Sequence, residues 1–272
     1  MEWTYNGLNI VTDPYEVAAC SFNGNIYVTN TSGALFESVG GTSSFVQVVS
    51  ANDIRVYFSD LLGFNGELYG WSAFSTFLYK WNGSNAWTRI AQGDLNGGGR
   101  GLIATSGSLY MCAWARLYKY VGTSALTTVK DWGSDGVVQN GLIVGYDGCI
   151  YAGESSTGGA LWKFNPFTGI GVKAAPKNFE NYVYPVSYDN NIYGPTGGGF
   201  RLYLFNGATS AWTQVVSATD SIGSNPGITG GLVWNNRIFA ISHDGSQCGR
   251  LRSWATGETS WQLDLSPPSY YG

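Results

Sequence analysis

The amino-acid sequence predicts an all-β chain folded as a single six-bladed β-propeller, with four antiparallel strands in each blade. The composition disfavours helices, because glycine (39 of 272 residues) and aromatic residues (15%) are abundant while charged residues make up only 12%. One short pattern recurs six times, at intervals of 41 to 46 residues. Each copy contains a tight-turn sequence, and four-stranded units at this period are typical of propellers.

Each repeat begins with a predicted hairpin between strands A and B. An aromatic residue is followed by a turn pair, one further residue, and then an aliphatic residue next to an aromatic one. The aliphatic positions are Ile26, Leu68, Leu109, Ile150, Ile192 and Ile238. The turn pairs include Asn-Gly, Asp-Gly and Asn-Asn, which accept the positive φ of a two-residue hairpin turn. We therefore predict a two-residue A–B turn in every blade.

Two further signatures complete each repeat. Strand C is marked by Leu35-Phe36, Leu78-Tyr79, Leu117-Tyr118, Leu161-Trp162, Leu202-Tyr203 and Leu251-Arg252. Strand D is marked by Phe45, Trp87, Leu126, Ile170, Trp212 and Trp261. The predicted blades of this single domain, 1–272, are residues 16–50, 55–92, 99–131, 137–175, 181–217 and 228–266, and residues 1–15 form an N-terminal closing segment.

The two ends of the chain compete for one place in the ring. Trp3 and Trp261 both fit the last strand of the sixth blade, and the sequence does not decide which segment completes it. An open ring would expose unpaired strand edges. We therefore expect the segment from Trp3 to Tyr5 to dock onto the blade that contains Ile238.

The repeat resembles that of kelch-like propellers, most closely in blade five. There, residues 187–193 (SYDNNIY) lead to the glycines at 197–199, then to Leu202-Tyr203 and Trp212-Thr213. The loose repeats are also similar to propeller domains of phage and viral attachment proteins. The first resemblance implies a protein–protein interaction scaffold, and the second implies attachment to a glycan or another cell-surface receptor.

Charge and hydropathy exclude several classes of function. The net charge of −4 and the pI of about 4.9 provide no basic patch for nucleic acid. The sequence contains no apolar run of the roughly 18 residues that membrane insertion requires, and no signal peptide is recognisable. We expect a soluble protein of the cytoplasm or of a virion. Cys20, Cys112, Cys149 and Cys248 lack zinc-site spacing, so we expect free thiols, no metal and no cofactor.

The D–A and B–C loops vary in length and content and emerge on one face of a propeller, so we expect the binding site there. Trp71, Trp114 and Trp132 are the predicted anchors, because none fits the repeating register. Tyr182, Asp94, Arg100 and His243 are the predicted partners. Aromatic rings that cover C–H surfaces beside polar groups suit carbohydrate binding.

Catalytic motifs are weak. His243 is the only histidine, and the sequence around Ser155 and Ser156 lacks the second glycine of a nucleophile elbow. We therefore predict a non-enzymatic recognition module that binds a glycan or another surface receptor, a role compatible with a phage tail or virion and with protein partners in such an assembly. The alternatives are a kelch-type scaffold and a glycoside hydrolase or lyase, for which Asp94, Glu154 and other loop acids would have to converge.

Overall fold

The fold is all-β, as predicted. The computed structural model describes residues 18–30, 32–38, 45–50, 56–94, 98–133, 139–154, 160–176, 183–196, 201–217, 227–243 and 250–265. These residues contain no α-helix and form six sheets of four antiparallel strands, in which the strands of each sheet follow chain order. The six sheets are the six predicted blades, and the β-propeller prediction is confirmed.

The first compact unit, Met1–Gly133, contains three blades. Blade one consists of β1 (Ala19–Phe22), β2 (Asn25–Thr29), β3 (Leu35–Ser38) and β4 (Phe45–Val49). Blade two consists of β5 (Phe58–Phe64), β6 (Glu67–Ser72), β7 (Phe77–Trp81) and β8 (Trp87–Gln92). Blade three consists of β9 (Gly99–Thr105), β10 (Ser108–Ala113), β11 (Arg116–Tyr120) and β12 (Thr127–Asp131).

The second compact unit, Ser134–Gly272, contains the other three blades. Blade four consists of β13 (Gln139–Val144), β14 (Ile150–Glu154), β15 (Leu161–Phe164) and β16 (Gly171–Ala175). Blade five consists of β17 (Val186–Tyr188), β18 (Asn191–Pro195), β19 (Leu202–Asn206) and β20 (Ala211–Val216). Blade six consists of β21 (Gly227–Trp234), β22 (Arg237–His243), β23 (Arg250–Trp254) and β24 (Gln262–Leu265).

The fourth strand of blade six comes from the C-terminal segment. Strand β24 pairs with β23 through Leu251↔Leu265, Arg252↔Leu263 and Ser253↔Gln262. The choice between the two terminal segments, which the sequence left open, therefore falls on β24. The predicted clasp from Trp3 to Tyr5 lies outside the described residues.

The predicted two-residue A–B turn is present in five blades. Both turn residues have positive φ at positions 23–24, 65–66, 106–107, 189–190 and 235–236. Blade four is the exception and corrects the prediction, because five residues separate Val144 from Ile150. The Asp147 carboxylate accepts hydrogen bonds from the Cys149 backbone N–H (3.1 Å) and the Tyr151 hydroxyl (3.0 Å), which stabilises this longer turn.

The core lies between successive blades. In the first unit, Tyr27 and Leu35 of blade one share a buried cluster with Phe58 and Leu68 of blade two. Second strands such as β6 and β18 are buried along almost their whole length, because neighbouring blades of the same unit cover both of their faces. The fourth strands β8 and β20 retain exposed positions. The inner strands therefore provide a rigid support, and the loops between strands carry the accessible side chains.

Candidate functional site

The B–C turns of blades two and three lie next to each other. The indole Nε1 of Trp71, near the end of β6, donates a hydrogen bond to the Cys112 carbonyl, near the end of β10 (3.0 Å). The B–C turn of each blade begins within two residues of these atoms. The two turns must therefore emerge side by side in the first unit.

Trp114 forms the tip of the blade-three turn. Ala113 pairs with Arg116 across β10 and β11, which leaves only Trp114 and Ala115 in the turn. Trp114 has φ of +51°, in the left-handed region that bulky residues rarely adopt. Its side chain is 51% exposed. The structure thus holds a large aromatic ring in solvent on a short turn with an unusual backbone conformation.

The backbone carbonyl of Ala115 connects this turn to the segment that follows β12. It accepts a hydrogen bond from the Trp132 backbone N–H (2.7 Å). The Trp132 side chain is buried. Trp132 therefore supports the turn that presents Trp114, and its own ring offers almost no surface to a ligand.

An ionic group is formed by Arg116, the first residue of β11, which follows the turn two residues after Trp114. The Arg116 guanidinium donates through Nε to Asp131 Oδ2 (2.6 Å) and through Nη1 to Asp94 Oδ2 (2.5 Å). The Tyr118 hydroxyl donates to Asp94 Oδ1 (2.8 Å), and the Gly133 backbone N–H donates to Asp131 Oδ1 (2.7 Å). All four carboxylate oxygens therefore accept a hydrogen bond from the protein.

These hydrogen bonds favour the ionised carboxylates. The pKa of Asp94 lies below its ordinary value because of the bonds from Tyr118 and then Arg116. The pKa of Asp131 is also lowered, first by the Gly133 N–H and then by Arg116. At neutral pH two carboxylates therefore flank one guanidinium, and the group carries a net charge of −1.

A second exposed ring belongs to the blade-two turn. Phe74 is 65% exposed, and Tyr57 contacts it edge-on with the ring centroids 4.9 Å apart. The Gly93 N–H donates to the Thr76 carbonyl of the same turn (2.8 Å). Gly93 therefore contacts the blade-two turn, and the next residue, Asp94, accepts the hydrogen bond from Arg116 of blade three. We call Phe74, Asp94, Trp114, Arg116 and Asp131 together the Trp114 surface.

The predicted site residues have different environments. Trp71 has no exposed surface, so its ring packs between blades two and three. Arg100 is exposed on β9, and its carbonyl accepts a hydrogen bond from the Cys112 thiol. His243 is the last residue of β22 and pairs with Gly227 through the backbone. Tyr182 lies outside the described residues. Trp114 and Asp94 are exposed, and they are connected through Arg116, which follows the Trp114 turn and donates a hydrogen bond to Asp94.

Arg116 and Asp131 were not predicted as site residues from the sequence. They pair directly across β11 and β12, at the first position of one strand and the last of the other. Opposite charges at facing strand ends are the signal that would have identified them, once the register was known.

The A–B and C–D turns of blade four expose apolar side chains. In blade four, Tyr146, Phe167 and Ile170 are all exposed. The Asn165 side chain accepts hydrogen bonds from the Phe167 and Thr168 N–H groups, so this turn has a defined shape. The apolar side chains on it form a second accessible surface, within the second unit.

Several features bear on chemistry. The described residues contain no cluster of His, Cys, Asp or Glu side chains placed to hold a metal ion. Glu154 is fully buried at the end of β14. Cys20, Cys112 and Cys149 are free thiols, and Cys248 lies outside the described residues. No helix within the described ranges has the length and hydropathy to cross a membrane.

No family model matches this chain, and no curated protein matches it in sequence. Its fold is similar to that of a streptogramin B lyase, with 14% identity, a TM-score of 0.74, and coverage of 94% of this chain and 86% of that one. It is also similar to the extracellular domain of a hybrid two-component system from B. thetaiotaomicron, with 18% identity, a TM-score of 0.71, and coverage of 95% and 34%. For YCF48 from Cyanidioschyzon merolae, the identity is 14%, the TM-score 0.68, and the coverage 92% and 84%.

At these identities the similarity shows the fold alone. The comparisons support a β-propeller without pointing to the kelch family in particular. The similar structures differ in function, as expected for a scaffold whose loops carry the sites.

Proposed function

We propose that this protein is a non-enzymatic recognition module that binds a glycan of a cell surface through the Trp114 surface. The observation that carries the proposal is the exposure of Trp114 beside an ordered ionic group. An aromatic ring in solvent covers the C–H face of a sugar, while the neighbouring carboxylates accept hydrogen bonds from its hydroxyls.

Two structural details support a binding role for Trp114 over a packing role. The ring is exposed although the protein has buried aromatic sites in the same blade, such as Tyr110 and Tyr118. The turn also maintains a left-handed backbone at a tryptophan. Backbone strain of this kind concentrates at functional sites.

The test is a glycan array probed with the full chain and with Trp114→Ala. We expect the wild-type protein to bind a defined set of glycans and the variant to lose at least thirty-fold in affinity, since anchor aromatics contribute 2 kcal/mol or more. Phe167→Ala is the matched control, because it removes an equally accessible ring from the second unit. Equal binding by wild type and Trp114→Ala would refute the site.

A protein–protein scaffold is the second candidate, and the exposed Tyr146, Phe167 and Ile170 favour it. In that case Phe167→Ala would abolish capture of a protein partner and Trp114→Ala would not. A role in a phage tail or virion is compatible with both candidates. Binding of the labelled protein to whole cells would test this role.

An enzyme is the third candidate, and a lyase among the proteins of similar fold favours it. Incubation of each bound glycan with the protein, followed by mass spectrometry of the products, distinguishes glycan binding from glycan cleavage. Release of a shortened or unsaturated sugar would replace the recognition proposal with an enzymatic one.

A further inference from the structure

The Trp114 surface contains two carboxylates, which accept hydrogen bonds, and one guanidinium, which is paired with both of them. Arg116 directs Nε and Nη1 at the two carboxylates, and both carboxylates lie in the solvent-accessible part of the surface. Each carboxylate oxygen already accepts one hydrogen bond from the protein and retains a second acceptor site. A ligand here therefore meets acceptors for its own O–H or N–H donors, within a group of net charge −1.

We infer that the Trp114 surface selects neutral glycans, whose hydroxyls donate to Asp94 and Asp131, and rejects sialylated, uronic-acid and sulfated glycans. This inference rests on the proposed function and names the ligand class of the same site. The guanidinium that an acidic sugar would need is already held by two carboxylates, and an anion would have to approach both of them.

Other charged side chains of the first unit could also act on an acidic ligand. Lys80 is paired with Glu67 through Nζ and Oε1 (3.0 Å), so this lysine does not add an uncompensated charge. Arg100 is another cation of this unit and is exposed on β9. The experiment therefore includes Arg100→Gln.

The test uses matched glycan pairs, each a neutral oligosaccharide and the same chain capped with sialic acid or sulfate. For the wild-type protein we expect at least tenfold tighter binding to the neutral member. Asp94→Asn with Asp131→Asn leaves Arg116 uncompensated and should shift the preference at least tenfold toward the acidic member. The amide oxygens can still accept from the Tyr118 hydroxyl and the Gly133 N–H, while the amide NH2 groups no longer accept from Arg116.

A second measurement avoids substitution altogether. If repulsion by the two carboxylates causes the discrimination, a higher salt concentration should bring the affinities of the wild-type protein for the neutral and the acidic glycan closer together. A ratio that does not change with salt would overturn the electrostatic cause.

The possible failures are distinguishable. Acidic glycans that bind as tightly as neutral ones, in a manner that Trp114→Ala abolishes, would keep the proposed function and overturn this inference. The same holds if acidic binding depends on Arg100. Absence of binding to any glycan would overturn the proposed function and the inference with it.

Discussion

At the scale of single residues, burial separates tryptophans that the sequence treats alike. Trp71 belongs to β6, where every residue from Leu68 to Ser72 is buried, whereas Trp114 stands at the tip of a turn. Alternation of apolar and polar residues reveals the exposed face of a strand only when one face meets water. Strands that are covered on both faces lose this signal, so Trp71 could not be recognised as a core residue from sequence.

Substitution of these two tryptophans should change the free energy of unfolding by very different amounts. Trp71→Ala removes a fully buried ring and its bond to the Cys112 carbonyl, and should lower the free energy of unfolding by about 3–5 kcal/mol. Trp114→Ala should change it by less than about 0.5 kcal/mol, as is usual for surface positions. Urea denaturation of both variants measures the difference, and an equal loss would mean that the Trp114 ring is part of the core.

Asp60 is a carboxyl with an unusual environment. It lies half-buried on β5, and its Oδ2 accepts a hydrogen bond from the Leu102 N–H of the neighbouring blade (2.9 Å). Burial raises its pKa to about 7, although the N–H groups of Leu102 and Leu61 oppose this. In the unfolded chain an aspartate has a pKa of about 3.9.

In the unfolded chain Asp60 releases its proton near pH 4, whereas the folded protein keeps this proton until about pH 7. The free energy of unfolding should fall as the pH rises from about 4 to about 7, by up to about 4 kcal/mol from this group, and level off above pH 7. Asp60→Asn, which keeps an oxygen for the Leu102 N–H, should flatten this slope. Asp189→Asn, in an exposed hairpin turn, is the matched carboxyl-to-amide control. Denaturation midpoints at several pH values give the slope, and an unchanged slope in Asp60→Asn would contradict the prediction.

At the scale of elements, turns were predictable and bulges were not. The pairs Asn23-Gly24 and Asn65-Gly66 adopt the positive φ values that their residue types favour. The register between strands C and D shifts in all six blades, each time at the Leu-aromatic or Leu-Arg pair that marks strand C. The extra residue lies in strand D, where it increases the local twist. The position of the extra residue depends on how strands C and D pair. The sequence therefore shows the residue pair at which the register shifts, but it does not reveal the bulge.

Close packing between blades limits which residues the inner strands accept. A Cβ at Gly153 on β14 would collide with the Val183 carbonyl oxygen and lie 2.9 Å from Pro185 Cδ. Gly153→Ala should therefore destabilise the protein by about 1–3 kcal/mol or more, because these neighbours belong to backbone and a proline ring. Gly207→Ala is the control, since its nearest neighbour, the Tyr146 hydroxyl, is 3.7 Å away. In thermal unfolding, Gly153→Ala should melt at a lower temperature than Gly207→Ala. Equal melting temperatures would show that the backbone near Val183 can shift to accept the extra methyl group.

At the scale of the whole molecule, the repeat predicted the architecture and could not predict the site. Six copies of one hairpin signature sufficed to predict six blades, since a single repeat cannot bury its apolar faces alone. The Trp114 surface is built from positions that break the repeat, and its ionic group depends on Asp94 reaching across to another blade. Similar folds at 9–18% identity show that many sequences meet the demands of this architecture, so they carry no site with them.

The ends of the chain provide the last prediction. Trp261 is buried in a cluster with Ile238 and Trp254, and β24 follows it as the fourth strand of blade six. Removing residues 261–272 should lower stability by about 3–5 kcal/mol or more, because it removes a buried aromatic ring and exposes β23. Removing residues 1–10 tests the predicted clasp separately, since blade six already has its four strands. We expect this truncation to lower the melting temperature as well, but by less than the first. A protein without residues 1–10 that melts like the full chain has no clasp, and one that loses more than the C-terminal truncation would show that the N-terminal segment is the main closure of the fold.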